Sequence, residues 1–174
     1  MLCVLEIILA LLILAALLLY VFISMQGDAK MLVDVKKRTS AVLVSATDDC
    51  LRFDVEVPYK NTGKQEGTIL DTYMRIYLPQ EQYADVLLRG KVNLKNVLRE
   101  DDYFEAVLVP AGTGNTLLLR FEAYAKNGKS LAEAIQGLPD VDVALYADCR
   151  GRGALFTVKE YLTLTAEEMH KLVK

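Results

Sequence analysis

The residues from Ala123 to Ser130 come nearest to a catalytic motif in this chain. They read AYAKNGKS, which fits the pattern of a phosphate-binding loop with Ala in place of its first Gly. Such a loop needs several free backbone N–H groups, and it belongs to a parallel sheet with helices between most strands. An alternating strand pattern continues through Ala125, which leaves only residues 126–129 for a turn. The sequence therefore favours a tight turn, and a nucleotide-dependent enzyme is the weakest functional alternative.

The sequence contains few residues that could bind a metal or act as an activated nucleophile. His170 is the only histidine, so neither a zinc site nor a histidine-based triad is indicated. The acidic clusters at 48–49 and 100–102 lack the alternating oxygen ligands and central Gly of a calcium loop. Cys50 and Cys149 allow a disulfide in an oxidising compartment, but their positions on the strand patterns favour two free thiols. We predict no catalytic residue, no metal and no cofactor, and hence no enzyme.

Tyrosine is abundant and tryptophan is absent. One predicted strand presents two tyrosines, an arginine and an aspartate on a single face, at Asp71, Tyr73, Arg75 and Tyr77. Exposed Tyr and Arg side chains are typical of protein-contact surfaces, and burial of both strand faces is the alternative. A net charge of −3 disfavours binding to nucleic acid. The sequence therefore predicts a possible interaction face at these four positions and a protein partner.

Most of the chain after residue 38 alternates between apolar and polar residues. Period two with one apolar face is the pattern of a half-buried strand. Turns rich in Gly and Asn separate the runs at 61–67, 112–115 and 150–153. About seven strands result, which predicts a mainly β fold, an immunoglobulin-like antiparallel β-sandwich with short helices. The runs are Ala41–Thr47, Phe53–Tyr59, Leu70–Leu78, Tyr103–Pro110, Leu117–Ala125, Val141–Cys149 and Ala154–Leu164.

Three segments have helical signals. Gln80–Val97 is predicted to hold a short helix or crossover followed by a loop, and Ser130–Gln136 a helix of one or two turns. Thr165 and Glu168 fit a capping box, in which a threonine hydroxyl and a glutamate three residues later satisfy free backbone N–H groups. This pattern predicts a C-terminal helix that reaches about Val173.

The first 25 residues predict a transmembrane anchor. Residues 7–23 are continuously apolar, and with their neighbours they reach the roughly 20 residues that a helix needs to cross a bilayer. Glu6 lies one turn from the helix start, where a carboxylate can remain at headgroup level. A cleaved signal peptide is the alternative, because Gly27-Asp28-Ala29 fits a small-x-small cleavage site. The missing basic residues before the apolar run and its length favour an uncleaved, single-pass signal anchor.

The positive charges that follow this helix predict its orientation. Lys30, Lys36, Lys37 and Arg38 come after the apolar run and no Lys or Arg precedes it. The positive-inside rule then places the following domain in the cytoplasm, slightly ahead of an external location. We predict three parts: an anchor at 1–25, a polar linker at 26–38, and a β-sandwich domain with a C-terminal helix at 39–174.

The segment FDVEVPYKNTGKQEGTILDTYMRIYLP resembles the strand–turn–strand of membrane-anchored immunoglobulin- or fibronectin-like modules, many of them bacterial. The layout is also similar to that of the late-embryogenesis-abundant type 2 domain, a membrane-anchored sandwich with a hydrophobic crevice. The first resemblance implies a non-catalytic, membrane-tethered interaction or scaffold module. The second implies the alternative, a membrane-anchored sandwich that binds a lipid or another small apolar ligand.

Overall fold

The computed structural model describes residues 2–97, 99, 101 and 103–173. The first element is a helix, α1 (Leu2–Met25), whose described side chains are exposed from Val4 onward. Leu, Ile and Ala dominate it, and these residues favour a helix or fit it at small cost. The part from Val4 to Met25 is long and apolar enough to span a membrane. No part of that span is buried against the rest of the chain.

Within the described residues, nine strands form two antiparallel sheets that face one another. The first sheet has the order β1-β3-β7-β5, with β2 also paired to β3, and the second has the order β6-β4-β8-β9. This arrangement confirms the predicted fold class, a mainly β antiparallel sandwich preceded by an apolar helix. The strands are β1 (Met31–Val33), β2 (Val42–Ala46), β3 (Cys50–Asn61), β4 (Gly67–Tyr77), β5 (Val86–Leu94), β6 (Val107–Val109), β7 (Gly114–Ala125), β8 (Val141–Arg150) and β9 (Leu155–Leu164).

The core lies between the two sheets and is built from the apolar parity of each strand. In the first sheet Phe53 stacks on its cross-strand partner Phe121, with ring centroids 5.1 Å apart. In the second sheet Val143 and Leu145 are buried against them in one continuous cluster. Burial of one face per strand is what the period-two pattern requires, so the alternation of the sequence and the two-layer architecture agree.

The prediction of a helix or crossover in Gln80–Val97 is wrong, because this segment holds strand β5. Val86, Leu88, Val92 and Leu94 are buried on one face of the strand, and Gly90 occupies the middle position of that series. A Cβ at position 90 would lie 2.5 Å from the sulfur of Met74 in the opposite sheet. The glycine that weakens the strand pattern in the sequence is therefore the residue that lets the two sheets approach.

The segment 26–38, predicted as a linker, contributes structure to the sandwich. Its residues 31–33 form β1, which pairs with the end of β3, and Met31 and Val33 join the core. A short 3-10 helix follows at Val35–Lys37. A strand of three residues is too short to show the alternation of a strand in the sequence. The polar residues around β1 therefore led to the prediction of a linker.

Helices α2 (Leu131–Gln136) and α3 (Ala166–Lys171) are short, and each begins with a side-chain cap. In α2 Ser130 and Glu133 form a complete capping box, since each side chain bonds the other residue's backbone N–H. In α3 the Thr165 hydroxyl accepts from the Glu168 N–H, as the predicted capping box requires. The Glu168 carboxylate turns away from the cap and binds Arg38 instead.

Candidate functional site

The four residues predicted as an interaction face all lie exposed on strand β4. An irregularity in the β4–β8 pairing between Ile69 and Asp71 sets the register of the strand. Ile69 is buried before it, and Asp71 and the alternate residues after it point to the outer face of the second sheet. Tyr73 is 38% exposed and Tyr77 48% exposed, so the alternative of burial on both strand faces does not apply here.

Neighbouring strands bring further side chains onto this face. Tyr73 is the direct cross-strand partner of Tyr146 in β8, and their rings stack with centroids 4.8 Å apart and planes 8° from parallel. Tyr77 lies over Tyr161 of β9 at 6.4 Å. We call this set the tyrosine ladder: Tyr73, Arg75, Tyr77, Tyr146, Lys159 and Tyr161.

Two cations of the ladder lie over its rings. The Lys159 ammonium is 5.2 Å from the centroid of Tyr146 and 4.8 Å from that of Tyr161. The Arg75 guanidinium is 6.0 Å from the Tyr146 centroid. A cation within about 6 Å of a ring centroid is attracted by the negative face of the ring. The stacked rings and their cations therefore hold one another in place on an exposed surface.

The ladder also perturbs the ionisation of its own members. A hydrogen bond between the Tyr77 and Tyr146 hydroxyls is the main cause that lowers the pKa of Tyr146, and Lys159 adds to it. The same hydrogen bond raises the pKa of Tyr77. Hydrogen bonds to Tyr161 and then to Tyr146 raise the pKa of Lys159, which keeps this lysine charged. Tyr146 therefore becomes a phenolate more readily than Tyr77.

Asp71 continues the same face beyond the rings. Its cross-strand partner is Asp148, whose carboxylate accepts a hydrogen bond of 2.6 Å from the Thr157 hydroxyl. Sequence reasoning found the β4 members but missed Tyr146, Lys159 and Tyr161. Each of these lies on the outward-facing side of its strand, and the alternation of the sequence indicates that side. The order of the strands, β4-β8-β9, could not be read from the sequence.

A polar groove of about 760 Å³ lies where the edges of β4 and β5 approach each other. Its lining contains the apolar side chains of Met74, Ile76, Leu88 and Val92, but polar and charged residues expose more of its surface, among them Arg89, Asp101, Arg120 and Glu122. A site for a lipid tail is instead lined mostly by hydrophobic and aromatic side chains. This groove does not favour the alternative of an apolar ligand.

The segment that resembles a phosphate-binding loop forms the tight turn that its spacing predicts. Asn127 and Gly128 have φ values of 55° and 72°, and the Lys129 N–H donates to the Lys126 carbonyl at 3.1 Å. The Lys129 ammonium binds the Asp85 carboxylate at 2.7 Å. The lysine that a phosphate would need is therefore committed to an ion pair within the turn region.

The acidic residues and cysteines considered from the sequence do not come together in a site. Among the residues that the structure describes, no three His, Cys, Asp or Glu side chains group as metal ligands. Glu100 and Asp102 of the predicted acidic cluster lie outside the described residues, and Asp101 forms an ion pair with Arg99. Cys50 is half-buried in the first sheet and Cys149 is buried in the second, and both are free thiols. Burial raises the pKa of Cys149 to about 11, so its thiol is unreactive at neutral pH.

Comparison with known proteins adds a likeness of fold only. No protein-family model matches the sequence, and no curated protein matches it. Similar solved structures include the GAE domain of yeast GGA1, at 9% identity over 71% of this chain and 87% of that one, with a TM-score of 0.37. The putative ApaA protein of Bordetella pertussis is another, at 12% identity over 79% and 94%, with a TM-score of 0.41. A third is the CupB6 tip adhesin of Pseudomonas aeruginosa, at 10% identity over 79% and 51%, with a TM-score of 0.35. Similarity at this level identifies no function.

Proposed function

We propose that this chain is a non-catalytic interaction module that α1 holds at a membrane and that binds a protein partner through the tyrosine ladder. The observation that carries the proposal is the ladder itself. Three strands of one sheet present four tyrosines and two cations on a single outer face. Stacking and cation–π contacts already order these side chains in the isolated chain.

The composition of the ladder suits contact with a protein. Tyr and Arg are enriched among the residues that contribute most to binding at protein interfaces. A tyrosine offers a large contact area at a small cost in conformational entropy, since only two torsion angles must be fixed. In the ladder, the stacking of Tyr73 on Tyr146 already restricts both side chains, so part of this entropy is lost before a partner binds. The two cations favour a partner that presents carboxylates to them.

The membrane part of the proposal rests on α1. Its apolar side chains, from Val4 to Met25, face away from the sandwich and lack a protein partner in the described chain. Apolar surface of that size is stable in hydrocarbon and not in water. We assign residues 1–25 as the anchor and the sandwich to the residues after it, with the sandwich on the cytoplasmic side because the basic residues follow the helix.

The experiment is site-specific photocrosslinking of the full chain in its native membrane. A photoreactive phenylalanine replaces Tyr77 in the ladder in one variant and Tyr103, which is 59% exposed outside the ladder, in the matched control. Position 77 should give a discrete adduct with a second protein, and Tyr146→Ala should reduce its yield several-fold. The control position should give no such adduct. Equal adduct patterns at both positions would contradict the proposed surface.

A further inference from the structure

The chain passes from α1 into the sandwich without a spacer. The Gln26 carbonyl accepts from the Gln65 side chain at 3.3 Å, and the Gln26 side chain accepts from the Arg152 guanidinium at 3.0 Å. Two residues later the Asp28 carboxylate accepts from the backbone N–H groups of Arg152 at 2.7 Å and Gly153 at 3.3 Å. We call Gln26 and Asp28, with loops 61–67 and 150–153, the collar.

Three glycines let the chain lie this close to the sandwich. A Cβ at Gly63 would lie 2.3 Å from the Asp28 carbonyl oxygen, and one at Gly151 would lie 2.1 Å from the Asp28 carboxylate. A Cβ at Gly67 would lie 2.5 Å from the side chain of Ala29. Contacts of this length do not occur in proteins, so a side chain at any of these positions would force the neighbouring atoms to move. The collar is therefore a specific fit between the end of α1 and two separate loops.

The collar fixes which end of the sandwich is next to the bilayer. The loops β3–β4, β6–β7 and β8–β9 all lie at this end, since β3 and β8 finish here and β4, β7 and β9 begin here. Asp28 comes three residues after the last residue of α1. A chain of three residues spans at most about 10 Å even when fully extended. A membrane that receives α1 therefore lies within about 10 Å of these loops.

This end of the sandwich is basic, although the whole chain has a net charge of −3. Around the collar five exposed basic side chains outnumber two exposed acidic ones. Two exposed leucines, Leu108 and Leu155, lie in the same cross-strand row as Arg150. The basic residues are Lys30, Lys60, Lys64, Arg150 and Arg152, and the acidic ones are Asp28 and Glu66.

We propose that the collar end of the sandwich is a second binding surface, which rests against the bilayer and recognises anionic lipid headgroups. Juxtamembrane basic residues are attracted to the negative surface potential of such lipids within about one Debye length, roughly 8–10 Å. That distance matches the short connection from α1 to the collar. The leucine side chains then lie at the depth of the headgroups, where they leave water. The inference rests on the proposed membrane anchor, and it adds a lipid class and a fixed orientation of the sandwich.

The test uses the full chain in nanodiscs of neutral phosphatidylcholine, with and without 30% anionic phosphatidylglycerol. An environment-sensitive fluorophore is attached to Leu155→Cys at the collar end, or to Glu81→Cys in the β4–β5 loop at the opposite end. Both labelling variants also carry Cys3→Ser and Cys50→Ser. Cys149 is kept because it is buried and does not react with the label. Headgroup-attached quencher lipids report how close each label lies to the bilayer surface. The charge variant is K60E/K64E, and the matched control is K36E/K126E, which changes the same charge elsewhere.

We expect at least three-fold stronger quenching at position 155 than at position 81 in anionic nanodiscs. K60E/K64E should reduce the quenching at 155 at least two-fold, and K36E/K126E should leave it unchanged. Equal quenching at 155 and 81 in protein that has entered the nanodiscs would overturn the inference while the anchor stands. Quenching at position 155 that is the same with and without anionic lipid, and is unchanged by K60E/K64E, would also overturn it. Failure of the chain to enter nanodiscs at all would instead contradict the proposed anchor.

Discussion

Arg38 and Glu168 form a bidentate ion pair between residues that are 130 positions apart in the chain. The Nη1 and Nη2 atoms of Arg38 donate to the two carboxylate oxygens of Glu168 at 3.0 and 2.9 Å. Both side chains are largely withdrawn from solvent, and the Ala41 N–H also donates to Glu168. The pair joins the segment after β1 to α3. It therefore ties the connection that leaves the anchor to the far end of the sequence.

Replacing Glu168 with Gln should destabilise the fold by about 1.5–3 kcal/mol at pH 7, the range for a hydrogen bond to a charged group. Burial raises the pKa of Glu168, but the Arg38 and Ala41 hydrogen bonds outweigh it and lower the pKa below 4.5. This contribution to stability is complete above the unfolded pKa and is lost as the pH falls through the lower folded pKa. Thermal unfolding of the full chain in detergent, followed by circular dichroism, measures both effects.

Glu167→Gln is the matched control for this measurement. Glu167 is the adjacent residue on α3, and its ion pair with Lys171 is exposed, 80% and 65% for the two side chains. Exposed pairs at this spacing contribute only about 0.3–0.5 kcal/mol. A loss at Glu167→Gln as large as that at Glu168→Gln, or a Glu168→Gln effect that does not shrink as the pH falls below 4.5, would show that the pair does not act as described.

Gly151→Ala should loosen the collar. The added Cβ would lie 2.1 Å from the Asp28 carboxylate, so either the loop or Asp28 must move. Overpacking of this kind costs about 1–3 kcal/mol. We expect faster proteolysis within residues 26–30 and a lower melting temperature. Gly153→Ala is the control, because its Cβ would lie at an ordinary 3.4 Å from the same carboxylate. Equal protease resistance in the two variants would contradict the close fit.

The ladder lowers the pKa of Tyr146 below the ordinary value of tyrosine. The Tyr77 hydroxyl is the largest cause, since its hydrogen bond favours the Tyr146 phenolate, and Lys159 favours it further. Tyr77→Phe removes the hydroxyl and should raise the pKa of Tyr146 toward its ordinary value near 10. NMR titration of Cζ-labelled tyrosine measures the shift, and Tyr103→Phe should leave it unchanged. A wild-type titration in which Tyr146 ionises at or above pH 10 would contradict the geometry of the ladder.

The sequence predicted the two-layer β architecture because its strands alternate in the way that half-buried strands must. It predicted the exposed face of β4 for the same reason. It could not supply what depends on strand order: Tyr146 and Lys159 join the ladder only because β8 pairs with β4 and β9 pairs with β8. It also missed the collar, since the contacts of Asp28 with the loop at 150–153 join residues 124 and 125 positions apart.

The orientation of the sandwich is tested with the free cysteines. Cys149 is buried, so Cys50 is the reporter, in a Cys3→Ser background. A cytoplasmic sandwich predicts that a membrane-impermeant maleimide labels Cys50 only after cells are permeabilised. Asp48→Cys, exposed in the neighbouring turn, is the control for reactivity and should behave in the same way. Labelling of either cysteine in intact cells would place the sandwich outside and show that the basic residues after α1 do not set the topology.

The central claim is that α1 holds a folded sandwich at a membrane. Alkaline carbonate extraction of cell membranes tests it most directly, with the full chain and a version that lacks residues 1–25 compared side by side. The account predicts that the full chain stays in the membrane pellet. The shortened chain should be soluble, with a β-type circular dichroism spectrum and a cooperative melt. Release of the full, unprocessed chain into the supernatant, or an unfolded shortened chain, would contradict it.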